Sequence, residues 1–119
     1  MHILAIVWHP NERWEALSET EKLEYLESLD DYISQGRASG AVVLGWSKID
    51  RTLPKAPDKG FIGVFGVGSA AQVHEFEQVV LEADWYTYFD STNIAICLEG
   101  ATASEPHRVY AGLLDVALD

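Results

Sequence analysis

The chain has 119 residues, with eight basic against nineteen acidic side chains and a formal charge of −11. That length fits one domain, residues 1–119, and that charge repels a phosphate backbone, which argues against nucleic acid and anionic membranes as partners. A single cysteine, Cys97, leaves no internal disulfide and no cysteine-based metal cluster within one chain.

Residues 2–8 read as a first strand. Leu4, Ile6 and Trp8 alternate with Ile3, Ala5 and Val7, and both sets are apolar, as in a strand covered on two sides. The run is too short to span a membrane. It lacks the basic start and cleavage site of a signal peptide, so a cytoplasmic location is expected. His9-Pro10-Asn11 ends the strand, because proline cannot donate to a ladder.

A short helical turn is expected over residues 14–17. Ser18-Glu19-Thr20-Glu21 then forms a capping box that starts a helix over residues 19–35. Leu23, Leu26, Leu29 and Ile33 recur at helical spacing and form one apolar stripe, with Gly36 or Gly40 near the stop. Acidic residues crowd the rest of this stretch. They read as a solvated face that aids solubility, or as a docking face for a basic partner.

Residues 41–48 form the second strand, in which Val42, Leu44 and Trp46 alternate with Val43, Gly45 and Ser47. The loop over residues 50–60 carries two prolines and a closing glycine. It is longer than the two to five residues usual in a hairpin, and a lid or binding loop fits that length. The third strand covers residues 61–68, with Gly63 interrupting its bulky set. Ser69 caps a helix over residues 70–84 whose buried stripe is Val73, Phe76, Val80 and Ala83. The fourth strand covers residues 92–98, where Cys97 reads as a buried, inert thiol. Ser104-Glu105-Pro106 opens a short final helix.

The order is β-α-β-β-α-β plus a terminal helix. That predicts an α+β fold of ferredoxin-like type, with an antiparallel four-stranded sheet and two helices on one face. Leu4, Ile6, Trp8, Leu44, Trp46 and Phe65 would then leave a large exposed patch on the other face. Packing two sheets face to face removes it, so an isologous homodimer is expected.

Further residues carry a resemblance. They are Trp14 with Leu17-Ser18 at the entry to the first long helix, the second strand from Gly40 to Trp46, and the run from Asp84 through Trp85-Tyr86-Thr87-Tyr88-Phe89-Asp90 to Asn93. On these the chain resembles the dimeric α+β barrel superfamily over nearly its whole length, and is most similar to small bacterial members without an assigned function. The resemblance implies a dimeric α+β barrel with a pocket between sheet and helices or inside the barrel. That superfamily holds cofactor-free monooxygenases acting on polyphenols, lactone isomerases, decarboxylases, haem-binding proteins and stress-response proteins, so fold leaves function open.

The aromatic run after the second long helix has two readings. Its rings either plug one end of the core or wall a pocket. In the second reading Trp8, Trp46, Phe65, Trp85, Tyr86 and Phe89, with Tyr88, would stack on a flat ligand, and Asn93 would orient a carbonyl. His9, at the rim of the first strand, is the candidate general base. Asp50, opening the long loop, and Asp90 are candidate carboxylates. The Tyr88 hydroxyl, like that of Tyr86, could donate to a developing oxyanion. His2, His74 and His107 are weaker candidates.

No phosphate-binding glycine loop, dinucleotide fingerprint or metal-ligand spacing is present, so neither a cofactor nor a metal is expected. The function expected is cofactor-independent proton-transfer chemistry of isomerase, lyase or monooxygenase type on an aromatic or polyphenolic metabolite. The alternative is a non-catalytic ligand-binding or stress-response module.

Overall fold

The structure is a computed structural model that describes residues 1–98. The expected terminal helix, with His107, lies outside the described residues. In chain order the elements are β1 (His2–Pro10), α1 (Glu12–Glu15), α2 (Glu19–Ala38), β2 (Val42–Lys48), β3 (Phe61–Val67), α3 (Ala70–Glu82), α4 (Trp85–Tyr88) and β4 (Phe89–Cys97). The four strands form one sheet in the order β2-β3-β1-β4, and every neighbouring pair is antiparallel. This is a small α+β fold, compatible with the ferredoxin-like expectation. No helix of the described residues is long and apolar enough to cross a membrane.

Local chemistry accounts for the helix starts. Ser18 Oγ accepts from the Glu21 amide at 3.1 Å, and Glu21 Oε1 accepts from the Ser18 amide at 3.0 Å. Two orphan donors of the first turn are thereby satisfied reciprocally. Asn11 caps α1 through its side-chain oxygen, which accepts from the Arg13 and Trp14 amides. Its amide group also donates to the Thr87 carbonyl at 3.0 Å, which ties α1 to α4.

The helix α2 runs past its expected end and straight through Gly36. That glycine is buried, and a Cβ on it would stand 3.0 Å from the Phe76 ring. Gly36 therefore permits close packing of α2 on α3, and the chain turns away at Gly40, where φ is +103°. The buried side of α2 is also rotated from the expected stripe. Tyr25, Leu29, Tyr32, Ile33 and Gly36 turn inward, whereas Leu23 and Leu26 are 54% and 47% exposed. The stripe had two neighbouring solutions, and the one containing the tyrosines won because Tyr25 donates to the Ala83 carbonyl at 2.7 Å.

The expected assignment of the sheet faces is corrected as well. Leu4, Ile6, Trp8 and Phe65 do not form an exposed patch; they pack under the helices with Val67, Val73, Trp85 and Phe89 as the core. The opposite, open face carries Ile3, Ala5 and Val7 of β1, Ile62 and Val64 of β3, and Ile94 and Ile96 of β4. The alternation expected in β2 fails at a bulge between Val43 and Gly45. One extra residue there reverses the faces beyond it. Val42 and Leu44 stay on the open side, but Trp46 crosses to the helix side and lies against Gly63. Val42, Leu44, Ile94 and Ile96 are all exposed, and α2 and α3 both lie on the other face of the sheet.

Candidate functional site

Two sites emerge, on opposite faces of the sheet. The first is at the end of β1. In the β1–β4 register His9 stands directly opposite Asp90, so both side chains leave the sheet on its open face. His9 Nε2 lies 3.4 Å from Asp90 Oδ2, with the two side chains 41% and 59% exposed. The other ring nitrogen, Nδ1, is out of contact with solvent and has no hydrogen-bond partner among the described residues. No internal bond therefore fixes the tautomer from that side. The imidazole is held by packing and by one carboxylate, beside an open depression formed with Pro10, Asn11, Glu12 and Arg13.

This pairing joins two residues that the sequence offers only as separate candidates. The signal was absent from the local sequence, because His9 and Asp90 meet only through strand register.

Asp50 is not part of this group. It follows β2, and β3 lies between β2 and β1, which leaves about 10 Å from strand to strand. Its Oδ1 accepts from the Thr52 hydroxyl at 2.5 Å and from the Thr52 amide at 3.0 Å. Those donors hold its carboxyl below the usual carboxylate range. Asp50 is an exposed turn residue engaged with its own loop.

The predicted aromatic wall does come together, on the helix side. Trp8 is its hub: its ring meets Trp46 edge-on at 5.5 Å, Trp85 edge-on at 5.1 Å and Phe61 in a stack at 5.7 Å. Trp85 continues to Phe89 at 4.2 Å, and Trp46 to Phe65 at 5.0 Å. Tyr88 packs on Tyr25 at 4.8 Å, and Trp14 reaches Phe89 at 4.9 Å. Trp14 and Tyr25 join the cluster from α1 and α2, a meeting that only tertiary packing brings about.

Trp85 and Tyr86 spend their polar tips internally. Trp85 Nε1 donates to Ser91 Oγ at 3.0 Å. Asn93 Nδ2 donates to the Tyr86 hydroxyl at 2.9 Å, which donates to Glu77 at 3.1 Å. Burial pushes the Tyr86 phenol up; the Asn93 bond opposes this and Glu77 adds to it. The segment from Trp85 is thus a one-turn helix that closes one end of the core, rather than an open connection.

A narrow apolar cleft borders this cluster between α2 and α3. Of the predicted wall, Trp46, Phe65 and Trp85 line it; Trp8, Tyr86, Tyr88 and Phe89 do not. His9 follows Trp8 on β1 and points the other way. The expected single site, with His9 acting on a ligand stacked against the tryptophans, is therefore divided by the sheet.

The remaining candidates are dispersed. His74 is exposed on α3. His2 Nε2 lies 3.8 Å from Cys97 Sγ on the helix side of the sheet. Cys97 is exposed rather than buried, because β4 is an edge strand left uncovered by α2 and α3. Among the described residues no three histidine, cysteine, aspartate or glutamate side chains gather to hold a metal ion.

The chain belongs to DUF6616, a family of unknown function, whose family model matches residues 1–109. No curated protein matches it.

Proposed function

We propose that this member of the DUF6616 family is a homodimeric enzyme of cofactor-independent proton-transfer chemistry, of isomerase, lyase or monooxygenase type. The observation that carries the reading is the His9–Asp90 pair at the end of an apolar sheet face. In this reading His9 takes a proton from an activated carbon or phenol. Asp90 supplies the countercharge to the imidazolium that results. A contact of 3.4 Å is loose for a hydrogen bond, and catalytic contacts of this kind often tighten only when substrate binds.

The dimer supplies what one chain lacks. Of the nine apolar side chains on the open face, from Ile3 to Ile96, Val42, Leu44, Ile94 and Ile96 stand exposed in a single chain and would be costly to leave wet. A second copy laid face to face encloses them in a barrel of the dimeric α+β type and gives the His9–Asp90 rim an apolar interior. That flat, β-branched surface suits a planar, largely apolar substrate, such as an aromatic or polyphenolic metabolite.

The test is a thermal-shift screen of the full chain against phenols, aromatic acids, lactones and quinones, followed by turnover assays on each hit. His9→Ala and Asp90→Asn should retain the circular dichroism spectrum and lose turnover by about a hundredfold or more. Unchanged turnover in His9→Ala would remove the proposed base. Binding without turnover in the wild-type protein would favour a ligand-binding module instead.

A further inference from the structure

The cleft between α2 and α3 lies across the sheet from His9 and plays no part in the reaction proposed above. Its volume is about 60 Å³. Ile6, Trp46 and Phe65 of the sheet, Leu29 of α2, Val80 of α3 and Trp85 line it. An apolar cleft of this kind stays poorly hydrated and accepts an apolar body.

One lining residue breaks the pattern. Arg37, exposed in the last turn of α2, is the single charged residue among the described residues that line the cleft, and it lines the cleft with its aliphatic stem. It makes no ion pair or hydrogen bond through its guanidinium among the described residues. The helix dipole favours a cation in this last turn, and what sets Arg37 apart is that it has no carboxylate partner among the described residues of a chain that carries −11. A guanidinium binds a carboxylate through two parallel hydrogen bonds. A lone positive group beside an apolar recess selects against neutral and cationic amphiphiles and for an anion.

We infer that the α2–α3 cleft binds a small apolar carboxylate, with its body against Trp46, Phe65 and Trp85 and its carboxylate on Arg37. The limited volume admits a short alkyl chain or the leading edge of a phenyl ring while the charged group stays at the rim. The site is independent of the His9–Asp90 pair, so either can fail alone.

The full chain is titrated with 3-phenylpropionate, with octanoate, and with 3-phenylpropanamide, which keeps the ring and removes the charge. Tryptophan fluorescence reports binding, since Trp46 and Trp85 line the cleft. Saturable binding of either acid is expected, with the amide weaker by about tenfold or more. Arg37→Gln should lower acid affinity to that of the amide and leave the amide unchanged, which also shows that the variant is folded. Stronger binding of the ring-bearing acid assigns an aromatic acid, and stronger binding of octanoate assigns a fatty acid. Equal affinity for acid and amide, an Arg37→Gln variant with wild-type affinity, or no saturation at millimolar acid would overturn the inference. So would nuclear Overhauser contacts from residues 99–119 to the Trp46 indole in the unliganded chain, because the protein's own segment would then be the occupant.

Discussion

The indole of Trp46 lies against Gly63, so close that a Cβ on the glycine would stand 2.7 Å from two of its ring carbons. No real Cβ tolerates that distance, and Gly63 is required for that reason. The pair also shows what the β2 bulge accomplishes. Without the extra residue between Val43 and Gly45, Trp46 would leave the sheet on the open face and Gly63 would keep only the Phe65 ring, 3.1 Å from its Cβ position, as a close neighbour.

Gly63→Ala should therefore destabilise the fold by about 1–3 kcal/mol, the usual cost of forcing a side chain into a packed site. Urea denaturation measures it. In a Trp46→Ala background the same change should cost much less, because the ring it displaces is gone. Equal costs in the two backgrounds would place the glycine's role elsewhere.

The open sheet face makes a second expectation. Val64 sits on β3 in register with Ala5, among exposed aliphatic side chains. Val64→Lys puts a charge at the centre of the proposed dimer contact, and burying an unpaired charge is strongly unfavourable. The variant should sediment as a monomer with its circular dichroism preserved, while the wild-type chain sediments as a dimer. A wild-type monomer would remove the barrel from the proposal.

Two half-buried phenols predict a response to alkali. Burial, with a smaller contribution from the charge of Asp84, pushes the Tyr25 phenol well above the usual value near 10, and burial raises Tyr86 too. Each folded-state value lies above the unfolded one. The stabilisation is therefore complete below about pH 10 and is lost as pH rises through the folded values. Ultraviolet titration should show a fraction of the five tyrosines ionising late and together with unfolding. Tyr25→Phe should remove part of that delay, and also the bond to the Ala83 carbonyl.

The capping box offers a local test. Ser18→Ala removes the acceptor for the Glu21 amide and should cost about 1 kcal/mol. Ser18→Asp, which restores an acceptor at the helix start, should recover most of it. Both are read from the denaturation midpoint, and a Ser18→Ala midpoint equal to the wild type would show that the box contributes nothing.

Contiguous signals were legible in the chain itself. Ser18 with Glu21, Ser69 before α3, Pro10 at the close of β1 and the apolar runs of the four strands each act within a few residues, so the element order and the α+β class follow from them. The placement of His9 at a strand rim was equally local. Its partner was not, because Asp90 is brought beside it only by the pairing of β1 with β4.

What tertiary structure alone decided is which side of each element faces inward. Both alternating sets of β1 are apolar, so period-two patterning says nothing about which one the helices cover. A single bulged residue moved Trp46 across the sheet, and a tyrosine-bearing stripe displaced Leu23 and Leu26 from the buried side of α2. The same choice set the aromatic cluster on one face and His9 with Asp90 on the other. Sequence patterns report that a residue is apolar or polar, whereas long-range packing determines what it meets.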